Sequence, residues 1–141
     1  MNINILIYIA IVTILVSIGG NINTVTSTLT LPSFYPPTYL FGLAWTILFF
    51  IFGIFLYYAP ESLQYIGIVY FTLVLLWTPL FVRTKSTALG FYYLLFIVIL
   101  TIILYIISRT IYSHPYSWLL VPQLLWTSFA TLLSYSMYKL N

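Results

Sequence analysis

TYLFGLAWTILFFIFGIFLYY, residues 38–58, is the stretch on which the fold turns. It carries no charged side chain, and its length matches the ~20 apolar residues that a helix needs to cross the hydrocarbon core of a bilayer. Within it Phe41, Trp45, Phe49 and Phe52 follow at steps of four, four and three, so their rings share one helix face. Outward from this stretch, Met1 to Pro60 is wholly uncharged, and the 141 residues carry only Arg83, Lys85, Arg109, Lys139 and Glu61 as formal charges. Charged residues make up 4% of the chain and hydrophobic residues 63%, where soluble domains carry about 25% charged residues. The solvent for such a chain is lipid. One Arg, Lys or Asp at a helix centre costs roughly 2.5–3.5 kcal/mol on insertion scales, which explains why the few charges lie between apolar runs or at the end. The fold class is all-α, an integral membrane bundle.

Reading in both directions divides the chain into about five transmembrane helices with short connections, a single domain over 1–141 with no room for a soluble one. The first helix is expected from about Asn4 to Ile18, stopping at Gly19-Gly20, where two permissive residues make continued helix costly. With no Lys or Arg before it and no small-x-small cleavage site after it, it reads as a retained helix and not a signal peptide. Asn21 to Pro37, rich in Asn, Thr and Ser and ending in Pro36-Pro37, reads as a loop long enough to fold over something, or as an idle connector. The second helix is expected from Thr38 to Tyr58. Pro60 and Glu61 supply the start of a third, which runs to about Val82. Arg83-Thr84-Lys85-Ser86 is a basic turn before a fourth helix, Thr87 to Ser108, and Arg109 to Pro115 is the last loop. Pro115 is expected to open a fifth helix reaching Lys139, kinked where Pro122 releases the carbonyl of Trp118.

Composition also excludes function classes. Without cysteine there is no disulfide framework, thiolate metal site or cysteine nucleophile. One histidine and one carboxylate supply neither a zinc ligand set nor the carboxylate pair of a glycosidase, so neither metal nor cofactor is expected, and acid–base enzymology is nearly excluded. The net charge of +3 comes from residues scattered at helix ends, which set topology and do not form a nucleic-acid surface. In an up-and-down bundle Arg83, Lys85 and Lys139 fall on one side and Arg109 on the other. The bias of basic residues toward the cytoplasm then puts the C-terminus and the long first loop inside and the N-terminus outside.

Aromatic residues are 21% of the chain, and three helices each offer a ridge of them. Beside the ridge on the second helix, the third carries Tyr70, Trp77 and Phe81 at spacings of seven and four, and the fifth carries Trp118, Trp126 and Phe129. Such ridges pack against lipid and neighbouring helices, or they wall a cavity for a flat, apolar ligand oriented by lone hydrogen-bonding groups. Gly42 and Gly53 share a face of the second helix, and Ala130 with Ser134 makes a small-x-x-x-small pair on the fifth, which lets helices approach within a subunit or across a dimer. His114, beside Pro115 in a loop, reads as a solvated interface residue.

Three stretches resemble one family. Leu31-Pro32-Ser33-Phe34-Tyr35-Pro36-Pro37-Thr38-Tyr39-Leu40-Phe41-Gly42-Leu43-Ala44-Trp45-Thr46 followed by Gly53, then Trp77-Thr78-Pro79-Leu80-Phe81, and finally Trp118 to Ser134 with the ending Leu140-Asn141, are similar in order to the TspO/MBR family of tryptophan-rich sensory proteins. The resemblance implies a five-helix bundle, often a homodimer, that binds porphyrins and in some members sterols, with the first long loop closing over the pocket. The ridges, the small-residue face and the resemblance together put the expected ligand contacts at Phe34, Phe41, Trp45, Phe49, Trp77, Phe81, Trp118, Gln123, Trp126, Phe129 and Ala130. Trp45 and Trp126 correspond to pocket tryptophans implicated in light-dependent porphyrin breakdown. The chain departs from the family pattern at Phe34 for tryptophan, Val74 for asparagine, Gln123 for tyrosine and Ser134 for asparagine. Leu133, Tyr135 and Lys139 fit a loose sterol-contact pattern. The expected function is a membrane receptor, transport or sensory protein for a planar apolar ligand, most readily a tetrapyrrole. The alternatives are light- and oxygen-dependent porphyrin degradation and an assembly or stress partner without a ligand.

Overall fold

The computed structural model describes Ile7 and residues 26–141, which are helix, turn or loop with no strand among them. The expected first helix lies outside the described residues apart from Ile7, which is helical. The rest of the expected bundle forms as helices. α1 is Thr38–Tyr57, α2 Glu61–Leu75, α3 Trp77–Thr84 and α4 Thr87–Thr110; after a 3-10 turn at Ser117–Leu119, α5 is Leu120–Leu140. Tyr39–Tyr57, Glu61–Thr84 taken through the α2–α3 joint, and Thr87–Thr110 are each long and apolar enough to cross a membrane. α5 is long enough but less apolar, because Gln123, Thr127, Thr131 and Ser134 lie on its buried face.

Each joint has a local cause. The last carbonyls of α1 have no helical partner of their own, and other groups meet them. Tyr58 N–H donates to Ile54 O at 3.4 Å, Gln64 Nε2 to Leu56 O at 2.9 Å, and His114 Nε2 to Phe55 O at 3.1 Å. A carbonyl only accepts, so Nε2 of His114 carries the proton. His114 is 2% exposed, with its ring 4.8 Å from that of Phe55. The sequence expectation of a solvated histidine is therefore overturned, because the ring caps a helix end that would otherwise bury an unpaired carbonyl. Pro60 precedes α2 and Glu61 opens it, accepting from Tyr65 Oη at 3.2 Å.

The third expected helix is interrupted at Leu76. Pro79, lacking an N–H and crowding the carbonyl four residues back at Leu75, separates α2 from α3. Lys85 then ends α3 in a left-handed conformation, φ 53°, and the Ser86 hydroxyl accepts from Leu89 N–H at 3.1 Å to start α4. The fifth helix also departs from expectation. Pro115 lies in a turn and the α-helix begins only at Leu120, so Pro122 falls in the first turn, where its missing N–H has no helical carbonyl to bond. The expected break of a helical bond to Trp118 therefore does not arise.

The buried side chains form two clusters. The larger holds Phe52, Phe55, Leu56, Leu63, Tyr70, Phe71, Ile97 and Leu104, joining α1, α2 and α4. The smaller centres on Phe81, Leu133 and Met137, with Leu29, Tyr35, Phe41, Trp77 and Phe129 packed against it. Ser134 on α5 faces Gly90 on α4, where an added Cβ would come within 3.5 Å of the serine hydroxyl, so this small residue serves packing within the chain.

Candidate functional site

The site is best built from α1 and α5. Phe41, Trp45 and Phe49 descend one face of α1, and Trp126 and Phe129 project from α5 toward them. Trp45 meets Trp126 edge to face at 6.2 Å between centroids, Phe41 meets Trp126 at 6.0 Å, and Phe129 lies 5.6 Å from Trp126. Phe49 continues the cluster to Phe71 on α2 at 4.8 Å. Trp77 and Phe81 on α3 stack at 5.1 Å on its flank, held by Trp77 Nε1 donating to Gly90 O at 3.1 Å. The ridges expected from helical spacing thus converge, and they do so in mutual contact. Perpendicular rings 6.2 Å apart leave no slot for a flat molecule, so a planar ligand entering between Trp45 and Trp126 has to part them.

Five expected positions lie elsewhere. Trp118 is 58% exposed, because the 3-10 turn that carries it breaks the eight-residue helical spacing to Trp126. Phe34 is exposed, and its neighbour Tyr35 packs on Phe41 at 5.3 Å instead. Leu133 is buried against Phe81 and Met137, whereas Tyr135 and Lys139 are exposed with the ammonium 5.5 Å from the tyrosine ring, so the three do not line one lipid-facing surface. Sequence reasoning missed Tyr35, which no periodicity could have marked because it sits in the loop. Its burial pushes the hydroxyl's pKa up, partly offset by a hydrogen bond with Thr26.

That loop is fastened over the cluster. The Asn141 carboxamide accepts from Thr30 N–H at 2.9 Å and donates to Thr30 O at 2.9 Å and to Met137 O at 2.8 Å. Leu29 and Tyr35 on either side then pack against Phe81, Leu133 and Met137. The described part of the long loop is therefore a cover over the α1–α5 seam.

The polar atoms of the site run inward from α5. Thr101 Oγ1 donates to Ile97 O at 2.8 Å, so its bond of 2.7 Å with Tyr70 is donated by the tyrosine. Gln123 is 4% exposed, and among the described residues its Oε1 and the buried Nε1 of Trp126 have no hydrogen-bond partner. Among the described residues there is also no group of His, Cys, Asp and Glu that could hold a metal. A separate apolar groove of about 120 Å³ lies between α2 and α4, bounded by Ile66, Leu73, Leu100 and Ile107. It does not reach the tryptophans.

The family model described as TspO/MBR family matches residues 4–140. The tryptophan-rich protein TspO of Archaeoglobus fulgidus is 38% identical over 118 residues, covering 78% of this chain and 75% of that protein. The protein of the same name from Chlorobaculum tepidum is 35% identical over 126 residues, covering 82% of this chain and 78% of its own.

Proposed function

The chain belongs to the TspO/MBR family of membrane proteins, and on that premise we propose that it is a receptor or carrier for a planar apolar ligand, a tetrapyrrole in the first instance, held between α1 and α5. The observation that carries the reading is the meeting of Trp45 and Trp126 with Phe41 and Phe129 beneath a fastened loop. Aromatic walls reward a flat ligand by stacking and by burial of area, at ~0.5–1.5 kcal/mol per ring pair beyond the area itself. Entry requires the rings to part, and release of the cover from Asn141 frees the seam for it.

Titration with protoporphyrin in the dark tests the reading, followed by calorimetry on protein in lipid nanodiscs with empty discs as the partitioning control. Saturable binding that weakens at least tenfold in the Trp45→Leu, Trp126→Leu double variant is expected; saturable binding of equal strength in the folded variant overturns the assignment. The neighbouring indoles also favour a second reading, light- and oxygen-dependent breakdown of the bound porphyrin, which needs oxidisable rings at the ligand instead of an acid and a base. Its mark is Soret bleaching faster than with the same double variant. A homodimer and a cytoplasmic C-terminus complete the proposal. The loop that meets Asn141 belongs with the C-terminal end of α5, so the basic turn, Lys139 and the cover share one side.

A further inference from the structure

We infer that the exposed seam between the start of α4 and the end of α5 binds a bilayer lipid with a net negative headgroup, its phosphate on Lys139 and the tyrosine hydroxyls and its chains along the apolar surface beyond them. The inference stands apart from the α1–α5 cluster and from whatever ligand that cluster takes.

Phe91 and Tyr92 stand in the second turn of α4, and Tyr135, Tyr138 and Lys139 in the last two turns of α5. Their rings form one connected patch across the seam. Phe91 lies 5.2 Å from Tyr135 and, nearly parallel, 6.4 Å from Tyr138, and Tyr92 lies 6.5 Å from Tyr138. The Lys139 ammonium stands 5.5 Å from the centre of the Tyr135 ring. Tyr92, Tyr135, Tyr138 and Lys139 are all exposed, so the patch is an outer surface of the described bundle. A cation–π contact uses none of the ammonium's N–H groups, and Lys139 has no ion pair or hydrogen bond among the described residues. The hydroxyls of Tyr92, Tyr135 and Tyr138 are likewise without partners there.

Location sets the kind of partner. Tyrosine gathers at the headgroup level of a bilayer, where its ring meets lipid chains and its hydroxyl meets polar groups, and lysine reaches to the same depth. Toward the middle of the two helices the surface continues as exposed Leu95 and Leu132, each three residues from a tyrosine of the patch and so on its face. A free anion has no use for that apolar continuation, whereas a lipid covers it with its chains.

Charge sets the headgroup. Arg83 and Lys85 close α3 immediately before α4 begins, so they stand at the same end of the bundle as Lys139. Glu61, the one acidic side chain of the protein, opens α2 at the opposite end, where α1 finishes against His114. The patch therefore offers an ammonium and hydroxyl donors with no acidic side chain beside them, and a phosphate oxygen accepts from both. A choline headgroup would bring a second cation to rings that Lys139 already occupies. A phosphodiester with an uncharged alcohol brings the anion alone.

Native mass spectrometry of the full chain in mild detergent tests this, with phosphatidylglycerol and phosphatidylcholine of identical palmitoyl and oleoyl chains as the probes. Phosphatidylglycerol is expected to bind about fivefold more tightly, the fold-change that one lysine near an anionic membrane surface is worth. Lys139→Gln removes the preference, Lys139→Arg retains it, and Arg109→Gln, at the far end of α4, leaves it unchanged. Tyr92→Leu combined with Tyr138→Leu keeps every charge and weakens phosphatidylglycerol severalfold. Equal binding of the two lipids by the parent chain, or a preference that persists in Lys139→Gln, overturns the inference. So does a preference lost as fully in Arg109→Gln, or binding untouched by removal of both tyrosine rings, since either result means that net charge and not this seam attracts the lipid.

Discussion

A single hydroxyl or ring nitrogen decides several features of this molecule, because bilayer hydrocarbon offers no substitute for a lost partner. Thr101 accepts from Tyr70 across the contact between α2 and α4 while donating to Ile97 O. Thr101→Val removes the acceptor of Tyr70 and is expected to cost about 1 kcal/mol, within the range found for hydrogen bonds between membrane helices. Thr101→Ser keeps the bond. Unfolding by detergent titration checks both, and a valine variant as stable as the parent would show that the tyrosine finds another acceptor. His114 offers a larger effect. His114→Phe preserves the ring but strands the Phe55 carbonyl at the end of α1, at an expected cost of ~1–3 kcal/mol in the same assay. That histidine was illegible in the sequence because its partner is 59 residues away and is a backbone atom, which no side-chain pattern announces. Trp45 and Trp126 were legible, since helical spacing put each on an aromatic face and the family resemblance marked both as pocket residues.

At the scale of elements, boundaries were readable wherever the signal is local. Pro60-Glu61, the basic turn and the end of α1 fall where residue types place them, and Pro79 breaks the third span by the chemistry that the sequence suggests for Pro122. The missed turn at Ser117–Leu119 cost the placing of Trp118, because a 3-10 segment turns a residue off the face that α-helical arithmetic assigns it. The cover of the site was invisible because it depends on a contact across 111 residues. Asn141→Ala is expected to raise amide hydrogen exchange over residues 27–35 severalfold, with little change across α4. Asn141→Asp should match it, since a carboxylate cannot donate to Thr30 O or to Met137 O. Exchange unchanged in both variants would mean that Leu29 and Tyr35 hold the loop by packing alone.

For the whole molecule, the decisive quantity is how few charges orient so much apolar helix. α4 has 24 residues, a rise of about 36 Å, enough to cross hydrocarbon ~30 Å thick, and a crossing would set its two ends on opposite sides of the membrane. Arg83 and Lys85 stand at one end and Arg109 at the other. The excess on the first side is reinforced by Lys139, because the cover fastened by Asn141 ties that end of α5 to the loop. A vote this small should also be easy to reverse. The chain has no cysteine of its own, so single thiols report position cleanly. Thr84→Cys is expected to resist an impermeant maleimide in intact cells, and Ile111→Cys to react with it. Replacing Arg83 and Lys85 together by glutamine leaves Arg109 opposed only by Lys139, and a fraction of chains should then exchange the two labelling patterns. Exchanged labelling of the two thiols in the parent background would reverse the assigned orientation, and equal labelling of both would show a dual one. Labelling insensitive to the glutamine pair would mean that orientation is fixed by the order of insertion of the uncharged first 60 residues and not by the basic turn.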